Sequence, residues 1–268
     1  MIPKVKRVSR RLRRGLPVQS GPLTLVHTRV AKRRVTFCIN NPRDIIQRVH
    51  LSGQFYETPE LMALRNVFPR GGTLIDIGAN IGNHTVFAAL IWGAGRVIPI
   101  EPNPLAFGLL IQNVLVNRQD AVVDFSHLGV GLSDAAADGF AMQERKRNLG
   151  AAKMLPGEGD LSVVRGDVLL NGVRADLIKI DVEGMEMNVL AGLEGLLTTD
   201  RPMMLIEVDN HNASAFADWT TAHDYACAAT VSRGRSNRNH LLVKRSDLER
   251  IQLALSDTAL ASDAKIEV

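Results

Sequence analysis

Cysteine is scarce in this chain. Cys38 and Cys227 are the only two in 268 residues, and they lie far apart at no metal-ligand spacing. That argues against a thiolate metal centre and a disulfide-stapled scaffold. A reduced, cytoplasmic protein is the expectation, with one disulfide as the lesser alternative. Aromatic platforms are also few, since two tyrosines and two tryptophans leave little surface for stacked bases. No apolar run approaches the roughly 18 residues of a membrane-spanning helix. No apolar segment follows the basic N-terminus, as a secretory leader would require. Acidic residues are missing from positions 1–34, which hold eleven Lys or Arg. Of the 32 basic residues, 21 remain for the rest of the chain against all 28 acids, a net of −7. The overall +4 therefore belongs to an arm and not to the body. A solvated, unstructured terminus is the favoured reading of that arm (Lys4, Lys6, Arg7, Arg10, Arg11, Arg13, Arg14). Contact with nucleic acid or an anionic membrane surface is the alternative.

What is present is enough apolar sequence, 46%, to fill a sizeable core. Three units are expected: a basic arm over 1–22, a folded domain over 23–245 and a polar tail over 246–268. The pattern predicts a strand pair at 23–30 and 34–39 and helices at 44–49 and 59–68. Regular alternation then begins: strand 74–77, helix 83–92, strand 96–100, helix 104–117, strand 121–128. Asn103 as N-cap and Pro104 as first helical residue make the 104–117 helix clear. Residues 129–175 read as a meander with strands near 138–143 and 161–164. Strand 176–180, helix 185–197 and strand 203–208 follow, then helix 214–223, strands 226–231 and 240–244, and a helix at 247–255. Strands alternating with helices imply a doubly wound, mostly parallel α/β sheet, closed by an antiparallel edge.

The stretch TLIDIGANIGNHT, residues 73–85, reads as strand, glycine turn and helix. That is how an open parallel sheet presents a nucleotide-like ligand at a strand's carboxyl end. A dinucleotide turn anchored at Gly78 would want glycine at 80 and 83, where this chain has Asn80 and Asn83. Read as G-x-N-x-G, the turn keeps Gly78 and Gly82 and sets an amide between them. With Asp76 near the strand's end to accept from an ammonium, this suits S-adenosylmethionine better than a nicotinamide dinucleotide. Glu101 closes the next strand, where a carboxylate can accept both hydroxyl protons of a ribose diol.

The third signal is DLIKIDVEG, residues 176–184. Lys179 is a charge inside an apolar strand and needs a partner, with Asp181, Glu183, Asp76 and Glu207 as candidates. Asp181 and Glu183 stand at the same rim as the glycine turn, able to orient a substrate hydroxyl or take its proton. Glu207, ending the strand at 203–208, is a weaker candidate for that rim. His84 reads as a cap or packing residue first and as a base second, behind Asp181 and Glu183. His211, beside Asp209 and Asn210, reads as a polar loop first and as a substrate or cation contact second. No metal is predicted.

Together, TLIDIGANIGNHT, GRVIPIEPNP, ADLIKIDVEGMEMNVLAGLEGLL and RPMMLIEV resemble the FkbM-type S-adenosylmethionine-dependent methyltransferases, from about Gly53 to Val208 and weakly to Lys244. The resemblance implies a class I methyltransferase (Rossmann-like) fold, a seven-stranded, mostly parallel sheet with its last strand antiparallel. It implies O-methylation of a hydroxyl on a sugar, glycolipid or natural product. By the same resemblance, Asp76, Gly78, Asn80, Gly82 and Glu101 hold the cofactor, and Asp181, Glu183 and Gly184 stand near the methyl donor. Tyr56-Glu57 looks like the family's Tyr-Glu pair, with Glu57 lining the site, and Asn148-Leu149-Gly150 resembles its Asn-x-Gly element. Leu128-Gly129-Val130-Gly131 departs from the family's run after the third strand, so the adenine contacts there stay open. The rivals are a nicotinamide-dependent oxidoreductase on a Rossmann fold and a nucleic-acid-associated methyltransferase using the arm.

Overall fold

The computed structural model describes residue 14 and residues 22–143, 149–157, 159–232, 237–256 and 266–267. Most of the basic arm, Asn148 and residues 257–265 thus lie outside the described residues. A hairpin of β1 (Thr24–Val30) and β2 (Arg33–Ile39) comes first, then α1 (Ile45–Leu51) and α2 (Thr58–Val67). β3 (Thr73–Ile77) leads into α3 (Asn83–Phe87), which continues as one π-helical turn over Ala88–Trp92. β4 (Arg96–Ile100) and α4 (Pro104–Val116) follow, with Asn103 accepting from the Leu105 N–H at 3.0 Å as the cap its sequence announces.

A meander of β5 (Gly131–Ser133), β6 (Ala137–Gln143), β7 (Lys153–Pro156) and β8 (Leu161–Arg165) forms a separate four-stranded sheet in the order β5-β8-β6-β7. The main sheet resumes through the short α5 (Gly166–Leu169), β9 (Leu177–Ile180), α6 (Glu186–Gly192), α7 (Glu194–Thr199) and β10 (Met203–Asp209). It closes with α8 (Ala213–Ala222), β11 (Tyr225–Val231), β12 (Asn237–Lys244), α9 (Leu248–Ser256) and the two-residue β13 (Ile266–Glu267).

The main sheet runs β13-β11-β12-β10-β9-β3-β4, parallel from β10 to β4 and antiparallel at β12. Its side chains alternate between two cores. Leu74, Val97, Leu177 and Leu205 face one side with α2, α3 and α4, while Ile75, Ile98, Ile178 and Met204 face the other with α6 and α7. Burial on both faces explains why these strands read as near-continuous apolar runs. No helix among the described residues is long and apolar enough to cross a membrane.

Three expectations are corrected. The strand at 121–128 is reduced to two isolated bridges, Val97 with Val123 and Glu101 with Leu128. Asp124 is the reason: it accepts from the N–H and hydroxyl of Ser126 and pairs with Arg96 at 2.7 Å, so a 3-10 turn at Phe125–His127 displaces the ladder. The main sheet therefore has six principal strands among the described residues, and only the two-residue β13 brings it to seven. The helix at 185–197 is two helices. Gly192 lies against the Ser133 carbonyl, where a Cβ would come within 2.1 Å, and both carboxylate oxygens of Asp167 accept N–H groups of Gly195 and Leu196 at 3.0 Å. A cap supplied from 28 residues away is invisible to local periodicity.

Candidate active site

The carboxyl ends of β3, β4 and β9 converge on two adjoining cavities. The smaller is a slot of about 60 Å³, with Ile100, Leu132, Met142 and Met154 as apolar walls and Gly78, Asn80, Glu101 and Asn103 on its polar side. The larger is a chamber of about 390 Å³ that faces Glu57, Asp181, Glu183 and Glu207, with Lys179 and His84 also in its wall. Gly78, Asn80, Gly150, Asp181 and Glu183 line both and form the junction.

The glycine turn is shaped by backbone. Gly78 adopts φ +72°, and a Cβ there would fall 1.8 Å from the Asp181 carbonyl oxygen. The ends of β3 and β9 thus touch through a position that only glycine can fill. Asn80 holds φ +49°, and its N–H donates to Glu101 Oε2 at 2.8 Å. The other oxygen, Oε1, accepts from the Asn103 N–H at 2.8 Å. Burial pushes the Glu101 carboxyl up to about 7, against the lowering pull of those two N–H groups and of Lys179. Each Glu101 oxygen keeps a second lone pair for a ligand diol. Asn103 Nδ2 and Asn80 Oδ1 are buried with no hydrogen-bond partner among the described residues, and both residues line the slot.

Lys179 is 6% exposed at the junction. Its Nζ donates to the Gly78 carbonyl at 2.7 Å and lies 3.3 Å from Asp181 Oδ2 and 3.7 Å from Asp76 Oδ1. Burial alone would lower its pKa, but Asp181, Asp76 and Glu57 outweigh that and raise it, so the ammonium is retained. Asp76 is fully buried, accepts from Thr85 Oγ1 at 2.6 Å and lines neither cavity. Its carboxylate faces Lys179 and Thr85, not the space where a ligand ammonium would sit. Gly82 also lines neither cavity; at φ +85° it turns the chain into α3, and a Cβ would press on Leu110 Cγ at 2.9 Å.

The four acidic residues of the chamber come from three places: the turn before α2, the turn after β9, and β10. Glu183 takes φ +53° and Gly184 φ +105°, a turn fixed by the buried Glu186, which accepts from the Gly184 N–H at 2.7 Å and from Asn212 Nδ2 at 2.5 Å. Glu57, at φ +60°, sits in a turn gripped by Asn83, whose amide exchanges hydrogen bonds with the Tyr56 N–H and carbonyl at 2.9 Å each. Its carboxylate lies 3.6 Å from His84 Nε2. Non-glycine residues in left-handed conformations store strain, and three of them, Asn80, Glu57 and Glu183, gather here. Glu207 accepts from Asn237 Nδ2, and its pKa rises to about 9 through burial and through Asp181, Glu57 and Glu183, with Lys179 pulling the other way. It is a neutral acid at neutral pH. Oxygens of Asp181, Glu183 and Glu207 lie within 4.8 Å of one another, close enough for one cation to bridge them.

The placement of His211 differs from its reading as a substrate contact. Its ring is 60% exposed, pairs with Asp209 at 3.0 Å and lines neither cavity, because Asp209 turns the chain outward after β10. Four residues line the cavities that the sequence reading left out of the site or, for His84, gave a site role only second. His84 is a chamber residue, Asn237 arrives through the pairing of β12 with β10, and Met142 and Met154 reach the slot from the small sheet. Of these only His84, beside the glycine turn, carried a sequence signal.

Residues 76–227, more than half of the chain, match the family profile described as Methyltransferase FkbM domain. The hexuronic acid methyltransferase AglP of Haloferax volcanii is 30% identical over 46% of this chain and 51% of its own length. The 31-O-demethyl-FK506 methyltransferase FkbM of Streptomyces tacrolimicus is 33% identical over 46% of this chain and 60% of its own. The matches thus span about half to three fifths of these relatives. A solved structure of methyltransferase FkbM from Methylobacillus flagellatus KT shares 18% identity, covers 73% of this chain and 52% of that one, and superposes with a TM-score of 0.45.

Proposed function

For a chain that belongs to the FkbM methyltransferase family, we propose transfer of a methyl group from S-adenosylmethionine to a hydroxyl oxygen of a sugar, glycolipid or natural product. The observation that carries this reading is the junction. A slot with polar and apolar walls meets an acidic chamber at Gly78, Asn80, Asp181 and Glu183, so a donor in one and an acceptor in the other meet there.

The residues present fit that cofactor. The buried Asn103 Nδ2 and Asn80 Oδ1 are an unsatisfied donor and acceptor in the slot wall, the pair of functions an adenosine or amino acid group would satisfy. Glu101 retains lone pairs for the ribose hydroxyls, and the Gly78 position lets the backbone approach closely. When bound, S-adenosylmethionine supplies an activated methyl on a sulfonium.

The residues around it align and deprotonate the acceptor. Lys179 Nζ, 3.3 Å from Asp181 Oδ2, holds that carboxylate in place as an orienting group for the acceptor hydroxyl. Glu183 is the general base, held in a strained turn at the junction. Glu207, neutral, donates a hydrogen bond to an acceptor oxygen, and Glu57 closes the wall opposite. Asp76 acts through Lys179 as a positioning residue.

Calorimetry with S-adenosylhomocysteine and with NAD tests the cofactor. Binding of the first alone is expected, and binding of NAD alone would replace this reading with the oxidoreductase. Mass spectrometry of polysaccharide, lipid and secondary-metabolite pools with and without the gene then identifies the acceptor by its lost methyl.

A further inference from the structure

The layer formed by residues 22–56 has one sign of exposed charge. Its six cations, Arg29, Lys32, Arg33, Arg34, Arg43 and Arg48, are all exposed, and its single acid, Asp44, is 1% exposed. Asp44 is consumed internally, capping α1 through the Gln47 N–H at 3.0 Å and accepting from the Leu149 N–H at 2.8 Å. Residues 57–268 hold 19 basic residues against 27 acids, a net of −8, so this face is an exception.

Two of the cations are set against each other. Arg29 and Arg34 stand directly across the β1–β2 ladder, and neither has an ion-pair partner among the described residues. Like charges at such a pair are destabilising. With His27 and Thr36 they line a surface hollow of about 610 Å³. Apolar side chains accompany them. Leu25, Ile45 and Leu51 are 48%, 37% and 42% exposed, three of the seven large exposed hydrophobics among the described residues. The layer also borders the site. Gln47 Oε1 accepts from the N–H groups of Asn40 and Asn41 at 2.9 Å, fastening α1 to β2, while Ile45 and Ile46 line the acidic chamber.

We propose that residues 22–56 are a docking layer for an anionic lipid surface, with lipid phosphates between Arg29 and Arg34 and with Leu25, Ile45 and Leu51 entering the headgroup boundary. Arginine side chains beside exposed aliphatic ones are the composition of an interfacial contact. A nucleic acid would call for stacking platforms on this face, whereas Phe37 and Phe55 of this layer are buried and Tyr56 lines the acidic chamber. Because α1 borders the chamber, the docked enzyme takes its acceptor hydroxyl from a lipid-borne headgroup. This second half rests on the hydroxyl-methylation reading, and the docking itself does not.

The test is co-sedimentation of the full chain with phosphatidylcholine vesicles, with and without phosphatidylglycerol, at low and raised salt. The expected result is binding only to the anionic vesicles, weakened by salt. Each Lys or Arg at such a surface contributes roughly a fivefold factor in affinity. R29E/R34E therefore binds at least about 25-fold more weakly, and L25S/L51S is weaker at equal charge. R29Q/R34Q is the milder variant should reversal impair folding. S-adenosylhomocysteine binding is retained in all of them, which separates docking from the cofactor site. Equal binding to neutral and anionic vesicles, wild-type binding by both arginine variants, or tighter binding of single-stranded RNA at matched phosphate would overturn the proposal. Vesicle binding that persists while no lipid pool serves as methyl acceptor would retain the docking layer and remove the lipid-borne acceptor.

Discussion

The slot and the chamber share a boundary but are built differently. The slot's polar side comes mainly from two short segments, 77–80 and 100–103, each a strand end followed by a turn. The chamber draws on seven parts of the chain, from Ile45 to Asn237, brought together largely by sheet register. The slot is small and partly apolar, with one raised carboxyl, Glu101, whose oxygens already accept two backbone N–H groups. The chamber is several times larger and holds four carboxyl groups against one buried ammonium. A local construction of this kind suits a ligand of fixed chemistry. A composite, strained and acidic one can be altered piece by piece, and suits an acceptor that differs between relatives.

The strongest way to break this division is at the shared boundary. Gly78→Ala places a methyl group 1.8 Å from the Asp181 carbonyl and forces alanine to φ +72°. Because the contact is backbone against backbone, relief requires β3 and β9 to part. A loss of ~3 kcal/mol or more in stability is expected, together with complete loss of S-adenosylhomocysteine binding. Urea unfolding and calorimetry measure both. Gly82→Ala is the control: its clash is with the Leu110 side chain at Cγ and not with the end of β9, so the strand ends stay in contact and binding survives although the φ strain remains. Equal damage from the two would mean that contact between the strand ends does not matter.

The next test separates chamber from slot. Glu183→Gln removes the proposed base without changing shape, so kcat falls by about 10²–10⁴-fold while S-adenosylhomocysteine affinity is retained. Asp181→Asn frees Lys179 from one of its two carboxylates, so it weakens ligand binding as well as turnover. If both variants left methyl transfer intact, the chamber would have no catalytic role.

How much of this was legible follows the same division. Gly78, Asn80, Glu101, Asp181 and Glu183 could be read because each lies within a few residues of a strand end, where side-chain type and spacing carry the chemistry. Asp76 and Gly82 belong to the same motif, but Asp76, on the sheet face of Lys179, is sealed beneath that lysine, and Gly82 serves the helix turn. His211 lies in an outward turn, as its reading as a polar loop has it; proximity to a strand end does not say which way the following turn runs. Asn237 could not be read at all, since its place depends on pairing with Asp209 across 28 residues. The strand at 121–128 failed for a related reason: apolar alternation was present, but the Asp124 side chain offered the backbone a competing turn.

A gentler change sharpens the slot alone. Asn103→Ala removes an amide whose Oδ1 caps α4 and whose Nδ2 has no partner among the described residues. Loss of the cap costs about 1 kcal/mol of stability. Loss of a ligand hydrogen bond of about 1 kcal/mol weakens S-adenosylhomocysteine roughly fivefold, with kcat at saturation unchanged. Asn103→Asp keeps the cap and removes the donor, so its stability holds while its affinity still falls. Full affinity in the aspartate variant would show that Nδ2 never meets the ligand.

The smallest effect concerns the chamber's surplus of acid. Glu207 is pushed from its ordinary 4.5 to about 9 by burial and by Asp181, Glu57 and Glu183, with Lys179 partly offsetting them. Its folded pKa lies above its unfolded one, so between those values the native state holds a proton that the unfolded chain has released. Stability from this residue is therefore fully present below about pH 4.5 and declines as pH rises towards 9. Glu207→Gln keeps the amide-sized group beside Asn237 and cannot ionise. The variant and the wild type should unfold alike near pH 4.5, and the variant should become progressively the more stable of the two as pH climbs to 9. Urea midpoints at three pH values suffice. A stability difference that stayed constant with pH would mean that Glu207 is ionised in the fold, and the chamber would then need a resident cation, across Asp181, Glu183 and Glu207, to hold so many charges together.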